Sequence, residues 1–285
     1  MTYTRLRTAA LAVLALVAVA CAKTDTVVPT SAPPADDNLT LGNPSGAVAS
    51  TSSPTNYLLT RLQYASSYNR DQGKPNWVSW HLGTADLGSA ARQDDFRADA
   101  DLPSGWYQVK PTDYSGFGFD RGHNCPSADR TTTVADNSAT FLMSNMMPQA
   151  PNNNQQTWGN LEDYCRTLVR TGNELYIICG SYGRGGTGSA GYQTTIAGGK
   201  VTVPAHCWKV VVVLPVGSND VGRITGSTRV IAVNTPNENS LSSNWGSYRT
   251  SVNAIESATG YNLLSALPTN LQTALEAQTD TGPTN

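Results

Sequence analysis

Residues 118–131, with the sequence GFDRGHNCPSADRT, hold a dense group of chemically active side chains. The group comprises an imidazole, carboxylates, guanidinium groups, a carboxamide and a thiol, carried by His123, Asp120, Asp129, Arg121, Arg130, Asn124 and Cys125. Because buried charge costs free energy unless it is paired, such a stretch predicts a partly solvated site that handles charge. Taken alone, the stretch is also compatible with a polar surface loop.

A second polar stretch begins a predicted helix further along the chain. Residues 149–157 are rich in carboxamides and cannot form a core, whereas apolar residues recur at helical spacing over 158–169. Positions four apart lie on one ridge of such a helix, and here they are Asn154, Trp158, Glu162 and Arg166. Glu162 and Arg166 can pair along this ridge, either within a functional site or as an ordinary helix-surface salt bridge.

One histidine, several arginines and a carboxamide-rich helix start favour phosphoryl chemistry over acyl chemistry. The sequence has no Gly-x-Ser-x-Gly elbow, and no serine has an obvious base beside it. Hydrolysis of a phosphodiester needs a base that deprotonates water, a cation at the scissile phosphate and donors for the developing charge. His123 is the candidate base, and arginines can grip phosphate through paired hydrogen bonds whatever the sugar or base.

Asn154 is the candidate ligand for a divalent metal ion, through its side-chain carbonyl oxygen. A helix start favours anions, so a single neutral asparagine there would hold a cation weakly. Most positions around an octahedral Mg²⁺ ion would then be left to water and to substrate oxygens. The sequence therefore predicts an exchangeable metal ion that the substrate helps to bind.

The elements that must position these side chains follow an α+β pattern. Alternating or apolar runs predict strands at residues 77–82, 174–179, 201–204, 207–214 and 229–233. Helical signals occur at residues 134–147, where a proline ends the segment, and at 158–169, 247–258 and 270–277. Because strands and helices do not alternate regularly, we expect an α+β fold with a central, mainly antiparallel sheet flanked by helices.

The first residues of the chain indicate export. Arg5 and Arg7 precede an uncharged apolar run at residues 9–20, which is too short to span a membrane comfortably and is typical of a signal peptide. The run ends in Ala-Val-Ala before Cys21 and resembles a bacterial lipobox, although that motif usually has leucine where this chain has Ala18. We expect a lipoprotein of the bacterial cell envelope, with a lipid on Cys21, and periplasmic or ordinary secretion is the alternative.

Composition divides the chain into a signal peptide at residues 1–21, a flexible linker at 22–54 and a folded domain at 55–280. The linker is rich in Thr, Ser, Pro and Ala and has few large apolar residues with which to order itself. Removal of residues 1–21 leaves 17 basic and 21 acidic residues, a formal charge of −4. Because phosphate binding depends largely on the number of cations, a nucleic-acid partner would require local positive charge.

Cysteine usage fits an exported protein. Four cysteines remain once Cys21 is set aside, and they are Cys125, Cys165, Cys179 and Cys207. An even number permits two disulfides in three possible connectivities, which the sequence does not resolve; Cys179 with Cys207, each at the edge of a strand-like run, is the preferred pair. No CxxC spacing indicates a metal site. We interpret His81 and His206 as structural histidines.

The block Asp120-Arg121-Gly122-His123, continued by PSADRT at residues 126–131, resembles the signature of the DNA/RNA non-specific endonucleases. These are sugar-non-specific nucleases with a ββα-metal active site. The resemblance extends to residues 145–149, Asn154, Gln155, Trp158, Leu161 and Glu162, and to the segments 208–210 and 259–261. It spans residues 57–278, and the DRGH block at this distance from the asparagine and the glutamate is highly specific.

The resemblance implies a metal-assisted role for four of the candidate residues. His123 corresponds to the general base that activates water. Asn154 corresponds to the only direct protein ligand of one Mg²⁺ or Mn²⁺ ion, which is bound mostly through water. Glu162 corresponds to the carboxylate that orients metal-bound water, and Asp120 to an acid that supports the metal ligand without touching the ion.

The resemblance also assigns three arginines. Arg92 corresponds to the arginine that stabilises the transition state and the leaving group, and Arg121 and Arg166 correspond to contacts with substrate phosphates. We therefore expect residues 55–280 to form a nuclease domain that hydrolyses both DNA and RNA. A metal-dependent phosphodiesterase of small nucleotides and a catalytically inactive surface-binding module are the alternatives. An inhibitor protein is left open as a further partner, and the sequence does not indicate an oligomeric state.

Overall fold

The computed structural model describes residues 1–2 and 38–284, and every element named below lies within Pro33–Asn285. The strands are β1 (Tyr57–Thr60), β2 (Ala65–Asn69), β3 (Lys74–Leu82), β4 (Asp120–His123), β5 (Met146–Gln149), β6 (Asn173–Tyr182), β7 (Gly186–Gly188), β8 (Gly191–Gln193), β9 (Thr195–Ile196), β10 (Val201–Thr202), β11 (His206–Pro215), β12 (Arg229–Pro236) and β13 (Arg249–Thr250). The helices are α1 (Val134–Ala139), α2 (Gly159–Arg170), α3 (Asp220–Arg223), α4 (Val252–Thr259) and α5 (Thr269–Glu276). A π-helical segment, Asn153–Trp158, runs directly into α2.

The central feature is a seven-stranded sheet in the order β1-β2-β3-β6-β11-β12-β13. Every neighbouring pair in this sheet is antiparallel. The central strands β6 and β11 have ten residues each and pair along their whole length. Both are buried over most of that length, which explains why they are almost continuously apolar in sequence. The predicted α+β fold around an antiparallel sheet is confirmed.

Apolar side chains on the two faces of the sheet belong to two separate cores. Because side chains alternate along a strand, Val211 of β11 packs in the first core and Val212 packs in the second. α2 covers the first face with residues that include Leu161 and Val169. α4 and α5 cover the second face, where Ile255 is fully buried. The candidate site lies on the side of the first core.

β4 and β5 form a two-stranded antiparallel ribbon in which Asp120 faces Gln149 and His123 faces Met146. After β5 the chain continues through the π-helical segment into α2, which completes the expected ββα arrangement. The helix predicted at residues 134–147 is wrong beyond Ala139, where α1 ends, because Met146 belongs to β5. Local apolar spacing cannot reveal this strand, since its partner comes from an earlier part of the chain.

Residues 38–54, which composition assigned to the flexible linker, belong to the folded unit. Leu41 and Ala47 are buried in the second core. Val48 forms a β-bridge with Tyr57 at the beginning of β1. The linker prediction is wrong for this part because a few apolar side chains are enough to anchor an otherwise polar segment to the sheet.

Other predictions fall largely outside the described residues. The signal peptide at 1–21, of which only residues 1–2 are described, the lipid site at Cys21 and the remaining linker at 22–37 therefore stay predictions. None of the helices in the described part of the chain has the length and hydropathy that a membrane-spanning helix needs.

Cys125, Cys165, Cys179 and Cys207 are all free and buried, so the preferred disulfide between Cys179 and Cys207 is wrong. In the register of β6 and β11, Cys179 faces Lys209 and Cys207 faces Ser181. The two thiols are therefore diagonal neighbours, for which Cβ atoms lie roughly 7 Å apart, against about 4 Å in a disulfide. All four cysteines pack in the first core, where burial raises the pKa of each thiol.

Candidate active site

β4 delivers the DRGH block to the site, and Gly122 allows β5 to pair closely with it. A Cβ atom at Gly122 would lie 2.4 Å from Gln149 Oε1 and 3.1 Å from Met147 O. The glycine therefore removes a clash that any other residue would create. Because side chains alternate along a strand, Arg121 and His123 share the face of the ribbon opposite to that of Gly122.

His123 is half-buried in an aromatic pocket at the end of β4. Its ring centroid lies 5.0 Å from that of Phe141 and 5.5 Å from that of Phe96. Nε2 is buried and has no hydrogen-bond partner within residues 38–284, which leaves Nδ1 as the ring nitrogen on the cavity side. Burial, followed by the charges of Arg92 and Arg121, lowers the pKa of His123 to about 3. The imidazole is therefore neutral in the free enzyme, as a base must be.

Two arginines flank His123, and each lies over one of the same aromatic rings. The guanidinium carbon of Arg92 is 4.9 Å from the centroid of Phe141, and that of Arg121 is 4.0 Å from the centroid of Phe96. Cation–π contacts of this kind hold a guanidinium group in place while its N–H groups keep their hydrogen-bonding capacity. The two rings therefore fix the base and both neighbouring cations together.

Asn154 lies near the beginning of the π-helical segment, a rare conformation that is frequent at functional sites. Its Nδ2 donates a hydrogen bond to Asp120 Oδ2 at 2.8 Å, and Gln155 Nε2 donates to the same oxygen at 2.8 Å. Because Asp120 holds the amide nitrogen, Oδ1 of Asn154 is the atom left to bind a cation. A neutral oxygen with a carboxylate behind it fits a hydrated Mg²⁺ or Mn²⁺ ion.

Glu162, on α2, forms an ion pair with Lys209 of β11, with Nζ and Oε1 3.2 Å apart. Burial raises the pKa of Glu162, and the positive charges of Lys209 and Arg166 oppose that rise. The partner that helical spacing suggested for Glu162, Arg166, is not the residue that bonds it. Glu162 and Arg166 therefore lie on the same ridge of the helix but bond different partners.

Arg166 is bonded to two other carboxylates. One of its terminal nitrogens donates to Asp129 Oδ1 at 2.8 Å, and the other donates to Asp163 Oδ1 at 2.5 Å. Asp129 is buried, and its second oxygen accepts a hydrogen bond from Trp80 Nε1 at 3.1 Å. This buried acid holds the guanidinium group of Arg166 at the wall of the cavity.

No role for Asp129 or Lys209 follows from the sequence alone. A signal for Lys209 exists, because it is the one charged residue in the apolar run 207–214, and a buried charge requires a partner. Asp129 lies in the charged stretch, but its contact with Arg166 joins positions 37 apart and no spacing predicts it. The same is true of the aromatic pocket formed by Phe96 and Phe141.

Two adjoining cavities, of about 400 and 270 Å³, bring all the predicted site residues together. Asp120 lines the larger one, whereas His123, Glu162 and Arg166 line the smaller one. Three residues line both, and they are Arg92, Arg121 and Asn154. The structure therefore gathers the base, the metal-ligand candidate and the three arginines around one continuous space.

A second group of potential metal ligands lies elsewhere in the fold. The ligand atoms of His81, Glu174 and Asp220 lie within 4.8 Å of one another, the one such group found among the described residues. Arg223 bonds both carboxylates, at 2.5 Å to Glu174 and 2.7 Å to Asp220. His81 Nε2 lies 3.2 Å from the other oxygen of Glu174. The guanidinium group of Arg223 already supplies the positive charge that a metal ion would bring.

Comparison with known proteins agrees with this geometry. The family model described as DNA/RNA non-specific endonuclease matches residues 41–270. The chain belongs to this family. A nuclease of Nostoc sp. is 51% identical to this endonuclease over 275 residues, which are 95% of this chain and 97% of that protein. Human endonuclease G is 34% identical over 167 residues, which are 56% of either protein.

A chain in the solved EndoG/EndoGI complex has the same fold as this endonuclease. The TM-score is 0.65 at 23% identity, and the match covers 81% of this chain and 91% of the other. The protein is therefore a nucleic-acid hydrolase with a ββα-metal nuclease fold, and its function as a DNA and RNA endonuclease is confirmed. Metal dependence is typical of the family.

Proposed function

We propose that this endonuclease cuts phosphodiester bonds by attack of a water molecule that His123 activates, with a Mg²⁺ or Mn²⁺ ion held by Asn154. The observation that carries the proposal is the convergence of the predicted residues on two adjoining cavities. These cavities are lined by a neutral imidazole, a carboxamide oxygen and three guanidinium groups. Phosphodiester hydrolysis needs a base, a cation and donors for developing charge, and this set supplies them.

In this mechanism His123 accepts the proton of the attacking water at Nδ1, the nitrogen on the cavity side. Its pKa of about 3 belongs to the free enzyme, where burial and two neighbouring arginines disfavour the imidazolium. A bound phosphate offsets the charges of Arg92 and Arg121 and raises the pKa of His123 toward its ordinary value. Substrate binding therefore makes the imidazole a stronger base near neutral pH, where base catalysis is most effective.

The arginines provide the local positive charge that an acidic chain requires for nucleic-acid binding. Arg92, which lines both cavities, stabilises the charge that develops on the leaving group. Arg121 and Arg166 bind phosphate oxygens, and the contact with Asp129 keeps Arg166 in position. Because guanidinium groups read phosphates and not base edges, this arrangement accounts for cleavage of both DNA and RNA with little sequence preference.

Asn154 Oδ1 is the one direct protein ligand proposed for the metal ion, and Asp120 fixes the orientation of its amide. When bound, the ion polarises phosphoryl oxygens and stabilises developing negative charge. Glu162 lines the same cavity, where its carboxylate accepts hydrogen bonds from water and orients it. A single neutral ligand would leave most coordination positions to water, so we expect Asn154 to hold the ion weakly.

We also propose that the endonuclease is exported and tethered to the bacterial envelope by a lipid on Cys21. The basic start, the apolar run at residues 9–20 and the lipobox-like end of that run support this proposal. Mass spectrometry of the mature protein should find diacylglyceryl on an N-terminal Cys21. An unmodified N-terminus at another residue would remove the lipid from the account and leave periplasmic or ordinary secretion.

An inhibitor protein is a further proposed partner of the active-site cleft. The solved EndoG/EndoGI complex concerns inhibition of EndoG, which has the same fold. The arginines that line the cleft would attract an acidic surface on such an inhibitor. Loss of binding on Arg121→Glu, measured with a candidate inhibitor, would support docking at the cleft, whereas unchanged binding would place the inhibitor elsewhere.

The proposed mechanism is tested with the purified full chain, supercoiled plasmid DNA and RNA, in Mg²⁺, in Mn²⁺ and in EDTA. We expect internal cleavage of both polymers with either metal ion and none in EDTA. Intact polymers together with hydrolysis of small phosphodiesters would favour the small-nucleotide phosphodiesterase. Absence of any hydrolysis by a folded, metal-supplied protein would favour the inactive binding module, and full activity in EDTA would contradict the role of the metal ion.

A further inference from the structure

Lys209 is a buried cation directly beneath the active site. It lies near the middle of β11 in the register of the central sheet, facing Cys179 of β6 on one side and Val233 of β12 on the other. Its side chain is 1% exposed, and Nζ lies 4.4 Å from the ring centroid of Trp158 and 5.6 Å from that of Trp80. The ammonium group is therefore confined by two indole rings.

An ammonium group in such a place must have a charge partner, because its desolvation costs several kcal/mol. The one ion pair that Lys209 makes within residues 38–284 is with Glu162 Oε1, at 3.2 Å. Glu162 is 14% exposed and lines the smaller cavity together with His123. The pair thus joins a rigid strand of the sheet to a carboxylate that borders the reacting space.

No other cation hydrogen-bonds Glu162 in the described part of the chain. Arg166 is the other positive charge that acts on Glu162, but its terminal nitrogens are bonded to Asp129 and Asp163. Burial raises the pKa of Glu162 and Lys209 is the strongest influence against that rise, which agrees with the geometry. Without Lys209, the carboxyl group would lose both its partner and the reason to stay charged.

We propose that Lys209 is a positioning residue of this endonuclease, which holds the Glu162 carboxylate charged and oriented toward the water of the cavity. The inference rests on the proposed role of Glu162. Lys209 itself does not contact substrate, because its side chain is enclosed by Trp158, Trp80 and Glu162. Substitution of a purely structural lysine would have the same effect whether or not residue 162 carries a charge. Substitution of a positioning residue would lower kcat only while the Glu162 carboxylate is present, so the two roles can be distinguished.

The test is a double-mutant cycle on the full chain, with Lys209→Met, Glu162→Gln and the double variant. We expect Lys209→Met to lower kcat on plasmid DNA about tenfold or more and to change KM less than about threefold, since it acts on chemistry and not on phosphate binding. In the Glu162→Gln background the same substitution should lower kcat less than about twofold. A kcat close to that of the parent for Lys209→Met, or a loss that multiplies fully with that of Glu162→Gln, would overturn the proposal.

Lys74→Met is the matched control, because Lys74 is also a 1% exposed lysine of the central sheet and makes no contact with Glu162. It should keep the parent kcat per folded molecule, and circular dichroism reports the folded fraction of every variant. Should Lys209→Met not fold, the cycle is measured with Lys209→Gln, which retains a hydrogen-bond donor.

A parent-like kcat for Glu162→Gln alone would contradict the proposed role of Glu162 and remove the basis for that of Lys209. A reduced kcat for Glu162→Gln with an additive Lys209 effect would overturn the Lys209 inference alone.

Discussion

The active-site cleft and the cluster of His81, Glu174, Asp220 and Arg223 both place a histidine among charged groups, yet their charges are balanced differently. In the cluster, Arg223 bonds two carboxylates and His81 bonds one of them. In the cleft, His123 forms no ion pair with a carboxylate of the described residues, and its charged neighbours are Arg92 and Arg121. The cluster satisfies its charges internally, whereas the cleft presents a neutral base among cations.

The arginines of the cleft show the same imbalance. Arg92 pairs with the exposed Asp94 at 2.7 Å, a weak solvated contact that an anion can replace. Arg121 makes no ion pair in the described part of the chain and lies over Phe96. Geometry alone would favour the cluster as a metal site, because it brings three ligands together. Charge pairing favours the cleft, because Arg121, which has no ion-pair partner among the described residues, and the solvated Arg92 lie beside a neutral base and can bind a phosphodiester.

The largest effect that would test this contrast is expected at the base. His123→Ala should lower kcat about 100- to 10,000-fold while the circular dichroism spectrum stays that of a folded protein, because general-base catalysis contributes about that much. His206→Ala is the matched control, since His206 stacks on Tyr182 at the beginning of β11 and lines neither cavity. Substantial activity in His123→Ala would move the base to another residue.

A smaller effect is expected at the metal ligand. Asn154→Ala should lower activity at limiting Mg²⁺ about 10- to 100-fold, and added Mg²⁺ should restore part of it, because the remaining ligands are water and substrate. Titration of cleavage against Mg²⁺ concentration measures this shift. The contrast between the two regions predicts that Asp220→Ala leaves the Mg²⁺ dependence unchanged. A shifted Mg²⁺ requirement in Asp220→Ala with a normal one in Asn154→Ala would reverse the assignment.

For the cluster we expect a loss of stability without a loss of catalysis. Glu174→Ala removes the carboxylate that bonds His81 and Arg223 and leaves Arg223, whose side chain is 26% exposed, with Asp220 alone, which should lower the free energy of unfolding by about 1–3 kcal/mol. Urea unfolding measures this change, and the kcat per folded molecule should stay within about twofold of the parent value. A catalytic loss larger than the folded fraction explains would give the cluster a role in the reaction.

The smallest expected effect concerns pH. Because the folded-state pKa of His123 is about 3, below the ordinary value near 6.5, the free enzyme keeps a neutral base as the pH falls from 7 to 5.5. The kcat/KM value should therefore fall less than about twofold over this range on account of His123, against about tenfold for an ordinary imidazole. The lowered pKa of His123 also makes the free energy of unfolding depend on pH, in the opposite direction to that of a histidine paired with an acid. Stability is fully present above pH 6.5 and is lost as the pH falls toward 3, because the unfolded chain binds the proton more readily.

Measurement of kcat/KM between pH 3 and 8 checks this expectation, with Arg121→Gln as the comparison variant. Removal of one positive charge should raise the pKa of His123 and move the acid limb of the profile upward. An acid limb near 6.5 in the parent, unaffected by Arg121→Gln, would show that the arginines do not control the base.

The sequence predicted the α+β class, the four longest strands of the central sheet and the terminal helices, because period and apolar runs are local properties. It also selected the site residues, since the DRGH block and the helix that carries Asn154 and Glu162 are compact motifs. The errors arise where the outcome depends on distant partners. β5 is a strand only because β4 pairs with it, and residues 38–54 are ordered only because Leu41 meets the second core.

The contacts within the site were hidden for the same reason. Helical spacing correctly placed Glu162 and Arg166 on one helix but could not show that a sheet residue, Lys209, takes the first and Asp129 takes the second. The Cys179–Cys207 disulfide fails because pairing register, and not strand position, decides which thiols face one another. Each of these facts is a tertiary contact that a single sequence does not encode in its spacing.

The position of the metal ion tests the central claim most directly. A crystal of the full chain soaked in Mn²⁺, with anomalous diffraction recorded, should show an ion bonded to Asn154 Oδ1 in the cleft. No ion is expected among His81, Glu174 and Asp220, where Arg223 supplies the positive charge. An anomalous peak at that cluster, with none at Asn154, would contradict the account.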